Sequence, residues 1–228
     1  MKLKDILKDI EVLKQTADPE LEIENIAYDS RKVTPGSLFV AVTGYVTDGN
    51  LYIGKAFENG AAAVVTAVEP KEDIPYVLVA SDRLALAMMG ANFYGHPADA
   101  MTIIGVTGTN GKTTTCFMIW RMLSHAGYKT GLMTTVAYGV DKLKPELNHM
   151  TTVDAITLTN RIREIVNQKA EFLVLEVTSH ALAEFRTLGI PFEIAVFTNL
   201  THDHLDYHKT IENYRKAKGK LFKKAKFS

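Results

Sequence analysis

Apolar residues fall along this chain in two rhythms. Near the start, Leu3, Ile6, Leu7, Ile10 and Leu13 recur at the spacing of one helix face, which predicts a helix over residues 3–14 stopped by Asp18-Pro19. Beyond it the apolar runs shorten and turn residues bound them. Ile23 to Tyr28 reads as a strand. A polar turn and Pro35-Gly36 then lead into the short buried run LFVAV (38–42) and a glycine-bounded loop. A helix is predicted at about residues 51–59, strands at AAAVVTAV (61–68) and YVLVA (76–80), and a helix at about 82–94. These make a small α/β unit. His96-Pro97-Ala98-Asp99 breaks the pattern, which predicts one domain over residues 1–98 and a second over 99–228.

The second half opens on MTIIGVTGTNGKTTT (101–115), an apolar run, a glycine-rich turn and the start of a helix predicted to reach about Gly127. Lys129 to Met133 reads as the next strand. Residues 134–153 read as a long polar connection holding two threonine pairs, Thr134-Thr135 and Thr151-Thr152. A helix begun by Asp154 and running to about residue 168 follows, then the strands FLVLEV (172–177) and EIAVFT (193–198), then a closing helix capped by Thr210. Nearly unbroken apolar strands alternating with helices predict an α/β fold whose mostly parallel sheet is covered on both faces, with ligands at the carboxyl ends of the strands.

That geometry gives the glycine turn a chemistry. A buried strand fixes the turn, and the turn aims backbone N–H groups and the positive helix end at one anion. Gly108, Thr109, Asn110, Gly111, Lys112, Thr113 and Thr114 form the candidate phosphate cradle: Lys112 neutralises terminal phosphates, and the Thr113 hydroxyl is placed for Mg²⁺. The standard pattern G-x-x-x-x-G-K-[ST] is not met in full, because Val106 stands six positions before Lys112 and the nearest glycine is Gly105. Glu176 ends FLVLEV, where an acid opposite such a loop is the usual second Mg²⁺ anchor. His202 and His204 lie just past EIAVFT; His202 alone reads better as a turn residue than as a ligand.

Composition excludes more than it assigns. The 228 residues are 46% hydrophobic, enough for one large core or two small ones, and 26 basic residues balance 26 acidic ones. Nothing overall points to nucleic acid or a membrane surface. The single cysteine, Cys116, excludes a disulfide framework and fits a reducing compartment. No apolar stretch approaches the roughly 20 residues of a membrane span, and MKLKDILKDIEVL is too charged for a signal peptide, so the chain is expected to be cytosolic. The basic run from Arg215 to Lys226 reads as a solvated helix face. Lys218 falls on that helix's apolar side, as a snorkelling stem, a neutral amine or a modified side chain.

Taken in order, DSRKVTPGSLFVAVTGYVTDG, GVTGTNGKTTT, MTTVDA, EVTSHAL, NLTHDHLDYH and YRKAKGKLF resemble the Mur ligases of peptidoglycan synthesis across essentially the whole chain. GTNGKT is shared with folylpolyglutamate synthetases and marks only the superfamily; EVTSHAL and NLTHDHLDYH resemble the members that add the third amino acid. The resemblance implies a cytoplasmic ATP- and Mg²⁺-dependent ligase. It would phosphorylate the carboxylate of UDP-N-acetylmuramoyl-L-alanyl-D-glutamate to an acyl phosphate, for attack by the amine of meso-diaminopimelate or L-lysine. It implies that Lys112 and the loop amides hold the β/γ-phosphates, that Thr113 and Glu176 hold one Mg²⁺, and that His204 helps hold a second beside a carbamylated Lys218. Ser30 and the backbone from Gly44 to Thr47 would form the uridine-diphosphate pocket, while Thr151, Thr152, Thr178 and Arg186 would grip the muramoyl peptide.

Some positions depart from the family pattern: Val153 replaces a usual proline, Thr178 a usual serine, Asn50 a common histidine, and Glu184 stands where some members carry glutamine. Family members also continue beyond the position of Ser228 into the rest of the central domain and a C-terminal domain. The resemblance therefore implies a partial ligase with little activity alone. The rival expectations are a nucleotide- or UDP-sugar-binding module completed by a partner chain, and a folylpolyglutamate-type ligase.

Overall fold

The computed structural model describes residues 1–44, 47–147 and 150–228. They gather into two compact units, Met1–Gly95 and His96–Ser228. The chain thus divides just before His96, and the boundary expected after Ala98 falls inside the 3-10 turn Pro97–Ala100 of the second unit.

In the first unit the expected helix over residues 3–14 is corrected. Helix α1 covers only Leu3–Ile6, and Val12–Gln15 is strand β1. Two features stop the helix early: Asp9 adopts a left-handed φ of 60°, and the buried Asn92 amide donates to the carbonyls of Ile6 (2.9 Å) and Lys8 (2.8 Å). Strand β1 then pairs antiparallel with the edge of Tyr76–Val79, which leaves Leu13 exposed instead of packed. Strands β2 (Asn25–Ala27), β3 (Ser37–Ala41), β4 (Ala61–Thr66) and β5 (Tyr76–Val79) run parallel, in the order β1-β5-β4-β3-β2. Helix α2 (Ile53–Glu58) presses Ile53 and Phe57 onto Phe39, Val64 and Tyr76; helix α3 (Asp82–Phe93) is capped by the Ser81 hydroxyl.

The second unit is built on a six-stranded sheet. In chain order its elements are β6 (Thr102–Thr107), α4 (Lys112–His125), β7 (Thr130–Met133), β8 (Ala137–Val140), β9 (Lys142–Pro145), α5 (Ala155–Asn167), β10 (Phe172–Glu176), α6 (Ser179–Ala183), β11 (Phe192–Phe197), α7 (Leu205–His208) and α8 (Ile211–Lys224). The spatial order is β11-β6-β10-β7-β8-β9. The first four are parallel and the last two form an antiparallel hairpin. That hairpin corrects the polar connection expected over residues 134–153. Its strands are only four residues long, Ala-Tyr-Gly-Val and Lys-Leu-Lys-Pro, so no long apolar run announces them.

Alternation along β6 and β10 sends Ile103 and Leu173 to one face, where Leu158, Ile162 and Leu221 of α5 and α8 cover them. Val106 and Val174 go to the other face, under Cys116 and Trp120 of α4. Gly105 belongs to this packing and not to the phosphate loop, since a Cβ there would stand 2.7 Å from the Phe192 ring. After α8 the chain bends beside β11, with Phe227 bridging Ile194 in parallel. No helix among the described residues is long and apolar enough to cross a membrane.

Candidate nucleotide-binding site

Strand β6 ends at Thr107 and α4 starts at Lys112, so the turn between them stands at the carboxyl edge of the sheet with a helix N-terminus behind it. Gly108 (φ 148°) and Gly111 (φ 81°) take backbone angles that side chains disfavour. The turn is also held from outside. Thr109 N–H donates to the Asn199 carbonyl (2.9 Å) and Asn110 N–H to the Asn199 side-chain oxygen (3.0 Å), while the Thr198 hydroxyl donates to the Asn110 carbonyl (2.7 Å). Buried Thr109 shares a hydrogen bond with the Tyr214 hydroxyl (3.2 Å) and accepts one from Thr201 N–H (3.0 Å). Lys112 folds its ammonium over the loop onto the Thr109 carbonyl (2.8 Å), and Thr114 is exposed in the first turn of α4.

Opposite the loop, β10 delivers Glu176, 2% exposed. One oxygen of this carboxylate accepts from the Thr113 hydroxyl (2.9 Å), and from both the N–H and the hydroxyl of Thr135 (3.1 Å each). Thr113 and Glu176, far apart in sequence, are therefore brought together, hydroxyl against carboxylate. The chemistry of this pair suits Mg²⁺, which takes few protein oxygens and completes its shell with phosphate and water. Among the described residues no group of three or more His, Cys, Asp or Glu side chains is gathered for a metal. Burial pushes the Cys116 thiol pKa well up, with the Glu176 carboxylate adding to the shift, so the cysteine behind the loop is an inert core group.

The remaining candidates form two further clusters in this unit. Lys218, 3% exposed on α8, donates to the Gly108 carbonyl (2.6 Å) and lies over the Tyr214 ring at 4.5 Å. Burial, reinforced by the Lys112 charge, pushes its pKa down to about 8. The apolar-side lysine of the sequence is thus a buried amine tied to the phosphate loop. His204, held at a left-handed φ of 52°, packs edge-on against His180 (4.8 Å) and Tyr214 (6.0 Å), 3.6 Å from the Asp203 carboxylate. Next to it His208 is buried against the Ser179 hydroxyl (2.9 Å), and burial beside His180 and His204 pushes its pKa down to about 4.

This last shift has a measurable result. Between its ordinary value near 6.5 and about 4, the unfolded chain binds a proton at His208 that the folded chain refuses, so stability falls as pH drops through that window. His208→Gln keeps a hydrogen-bonding side chain and removes the titration. Melting curves at pH 7 and pH 5 are expected to show a smaller loss in the variant than in the parent.

The peptide-gripping candidates are linked through Thr152. Its hydroxyl donates to the Glu176 carbonyl (3.1 Å) and accepts from Thr178 N–H (3.1 Å), while its carbonyl accepts from Arg186 (2.7 Å). The Thr178 hydroxyl caps α6, and Thr151 lines a hollow with Thr134 and Thr152. Glu184 turns its carboxylate onto Arg186 (2.6 and 2.9 Å) instead of toward an incoming anion. In the first unit, Ser30 is buried and its carbonyl accepts from Asn59 (2.8 Å). Of the loop from Gly44 to Thr47, Tyr45 and Val46 lie outside the described residues. Sequence reasoning gave no role to Thr135, Thr198, Asn199 or Tyr214. The first three stand just past strand ends on the ligand edge, and that position was the available signal.

The Mur ligase middle domain model matches residues 106–228, and the Mur ligase family catalytic domain model matches residues 22–85. A UDP-N-acetylmuramoyl-L-alanyl-D-glutamate--2,6-diaminopimelate ligase of Clostridium acetobutylicum is 46% identical over all of this chain and 48% of its own length. A ligase of the same name from Clostridium botulinum is 47% identical over 91% of this chain and 44% of its own. A solved ligase of that name superposes with a TM-score of 0.82 at 34% identity, over 98% of this chain and 45% of that one. A MurF ligase from Thermotoga maritima, solved with ADP, superposes at 0.58 with 25% identity, over 91% of this chain and 44% of that one. The chain spans about half the length of the curated relatives it matches. Since the middle-domain match alone runs through more than half of its residues, the chain belongs to the Mur ligase family.

Proposed function

We propose that this chain carries the ATP-binding unit and part of the substrate-binding machinery of a ligase that joins a diamino acid to UDP-N-acetylmuramoyl-L-alanyl-D-glutamate. The observation that carries this reading is the Thr113 hydroxyl on the buried Glu176 carboxylate, beside a loop of left-handed glycines at a helix N-terminus. The names of the relatives favour diaminopimelate over lysine, and the ADP-bound relative supports the nucleotide. The first unit, Met1–Gly95, would serve the UDP-sugar through Ser30 and the loop from Gly44 to Thr47, and the second, His96–Ser228, the ATP. Such a ligase works in the cytoplasm, where both nucleotides are made.

Transferring a phosphoryl group onto a carboxylate brings two anions together, so positioning and charge neutralisation matter more than a protein nucleophile. ATP supplies the phosphoryl group that turns the substrate carboxylate into a centre open to an amine. Lys112 and the loop N–H groups would hold the phosphates, and Thr113 and Glu176 the Mg²⁺. Arg186 would meet a substrate carboxylate by sharing the guanidinium that Glu184 now orients. His204 and Lys218 would complete a second metal site if the Lys218 amine adds to CO₂, losing a proton and becoming a carbamate. A pKa near 8 supplies some neutral amine for that addition at neutral pH. Density extending past the Lys218 nitrogen in crystals grown with bicarbonate would show it.

Calorimetry of the chain with Mg²⁺-ADP and with UDP-N-acetylmuramoyl-L-alanyl-D-glutamate is expected to show binding of both. Tighter binding of a folate than of the muramoyl dipeptide would replace this reading with the folylpolyglutamate one.

A further inference from the structure

The edge of the sheet beside the candidate site holds a buried ion pair to which the phosphate chemistry assigns no role. Glu146 follows directly on β9, its side chain 2% exposed, and receives both terminal nitrogens of Arg161 from α5, Nη1 on Oε2 and Nη2 on Oε1. The Arg161 side chain is 12% exposed, and its guanidinium lies over the Tyr138 ring of β8 at 4.0 Å. The pair therefore ties the hairpin to α5 in a two-pronged, stacked geometry that a lysine could not reproduce.

Its place in the chain gives the tie a purpose. Glu146 and Arg161 flank the segment that contains Thr151 and Thr152, and all four side chains line the same hollow. Thr152 in turn bonds the backbone at the end of β10 and orients Arg186. A buried ion pair is weak evidence for stability, because well-packed apolar residues commonly do as well, but its directionality fixes one register. We infer that Glu146 and Arg161 are positioning residues. They latch the base of the threonine-pair segment and so set Thr151, Thr152 and Arg186 at the spacing needed by the peptide end of the UDP-muramoyl substrate. This rests on the substrate reading above.

The test uses two variants of the whole chain: R161K, which keeps the charge and loses the fork, and the double variant E146M/R161M, which fills the space with apolar side chains. Calorimetry is run with UDP-N-acetylmuramoyl-L-alanyl-D-glutamate, with UDP and with Mg²⁺-ADP, beside thermal melts. Both variants are expected to bind the muramoyl dipeptide at least tenfold more weakly, with UDP and Mg²⁺-ADP affinities within about threefold of the parent. The double variant is expected to melt no lower than the parent, which separates positioning from stability. If R161K does not fold, the double variant carries the comparison. Parental affinity for the dipeptide in a folded E146M/R161M chain would overturn the latch alone. A parent chain that binds UDP but gains nothing from the muramoyl dipeptide would overturn the substrate reading and the latch with it.

Discussion

Glu176→Gln is expected to remove most of the advantage that Mg²⁺ gives to nucleotide binding. The substitution keeps the size of the side chain and leaves an oxygen to accept from Thr113 and Thr135, but it takes away the only charge those groups surround on β10. Mg²⁺ is a hard cation that binds through carboxylates and phosphates, so the amide is a poor replacement. Affinity for an ATP analogue with Mg²⁺ should drop by about a hundredfold, or roughly 2.7 kcal/mol, while affinity without the metal stays the same or improves. Calorimetry with and without EDTA checks this. Glu176→Ala should add a folding defect of about 1–3 kcal/mol, because the Thr135 N–H and its neighbours lose a buried acceptor.

Gly108→Ala is expected to weaken nucleotide binding for a different reason. A Cβ at this position would stand 1.9 Å from the Thr198 hydroxyl oxygen and 3.1 Å from the Asn199 backbone nitrogen. Its φ of 148° is also one that side chains avoid, at about 1–3 kcal/mol. Either the Thr198 hydroxyl turns off the Asn110 carbonyl it holds or the loop shifts away from it, and both loosen the anchoring of the turn. The proposed site consists of the N–H directions of this loop, so nucleotide affinity should fall at least tenfold with or without Mg²⁺. That insensitivity to metal distinguishes this variant from Glu176→Gln. A Gly111→Ala control has open space for its Cβ and meets only the φ penalty, so its loss should be smaller.

What could be read beforehand from the residues is the part of the molecule in which local pattern and global role agree. The phosphate turn, α4 and the buried strands β6 and β10 carry long apolar runs or fixed spacings, and they stand where those patterns put them. The first helix fails because a helical spacing of five apolar residues does not reveal Asn92, far away in sequence, ending the helix at Ile6 and Lys8. The β8–β9 hairpin fails because its strands are only four residues long and the edge strand β9 is lysine-rich, so tertiary pairing overrides local pattern. Within the site, the residues with charge or glycine chemistry were legible. Thr135, Asn199 and Tyr214 were not, because they act by bonding backbone and side-chain groups that only the fold brings near. The Glu184 carboxylate, an apparent liability beside an anionic substrate, is accounted for by its bonds to Arg186.

Whether one loop and one strand end form a single Mg²⁺-nucleotide site is decided by a crystal structure of this chain with Mg²⁺ and a non-hydrolysable ATP analogue. Phosphates are expected against the N–H groups of Gly111 to Thr113, with the metal in contact with the Thr113 hydroxyl and the density between it and Glu176 continuous. A nucleotide bound elsewhere, or a bound nucleotide whose metal is remote from both Thr113 and Glu176, would contradict that expectation.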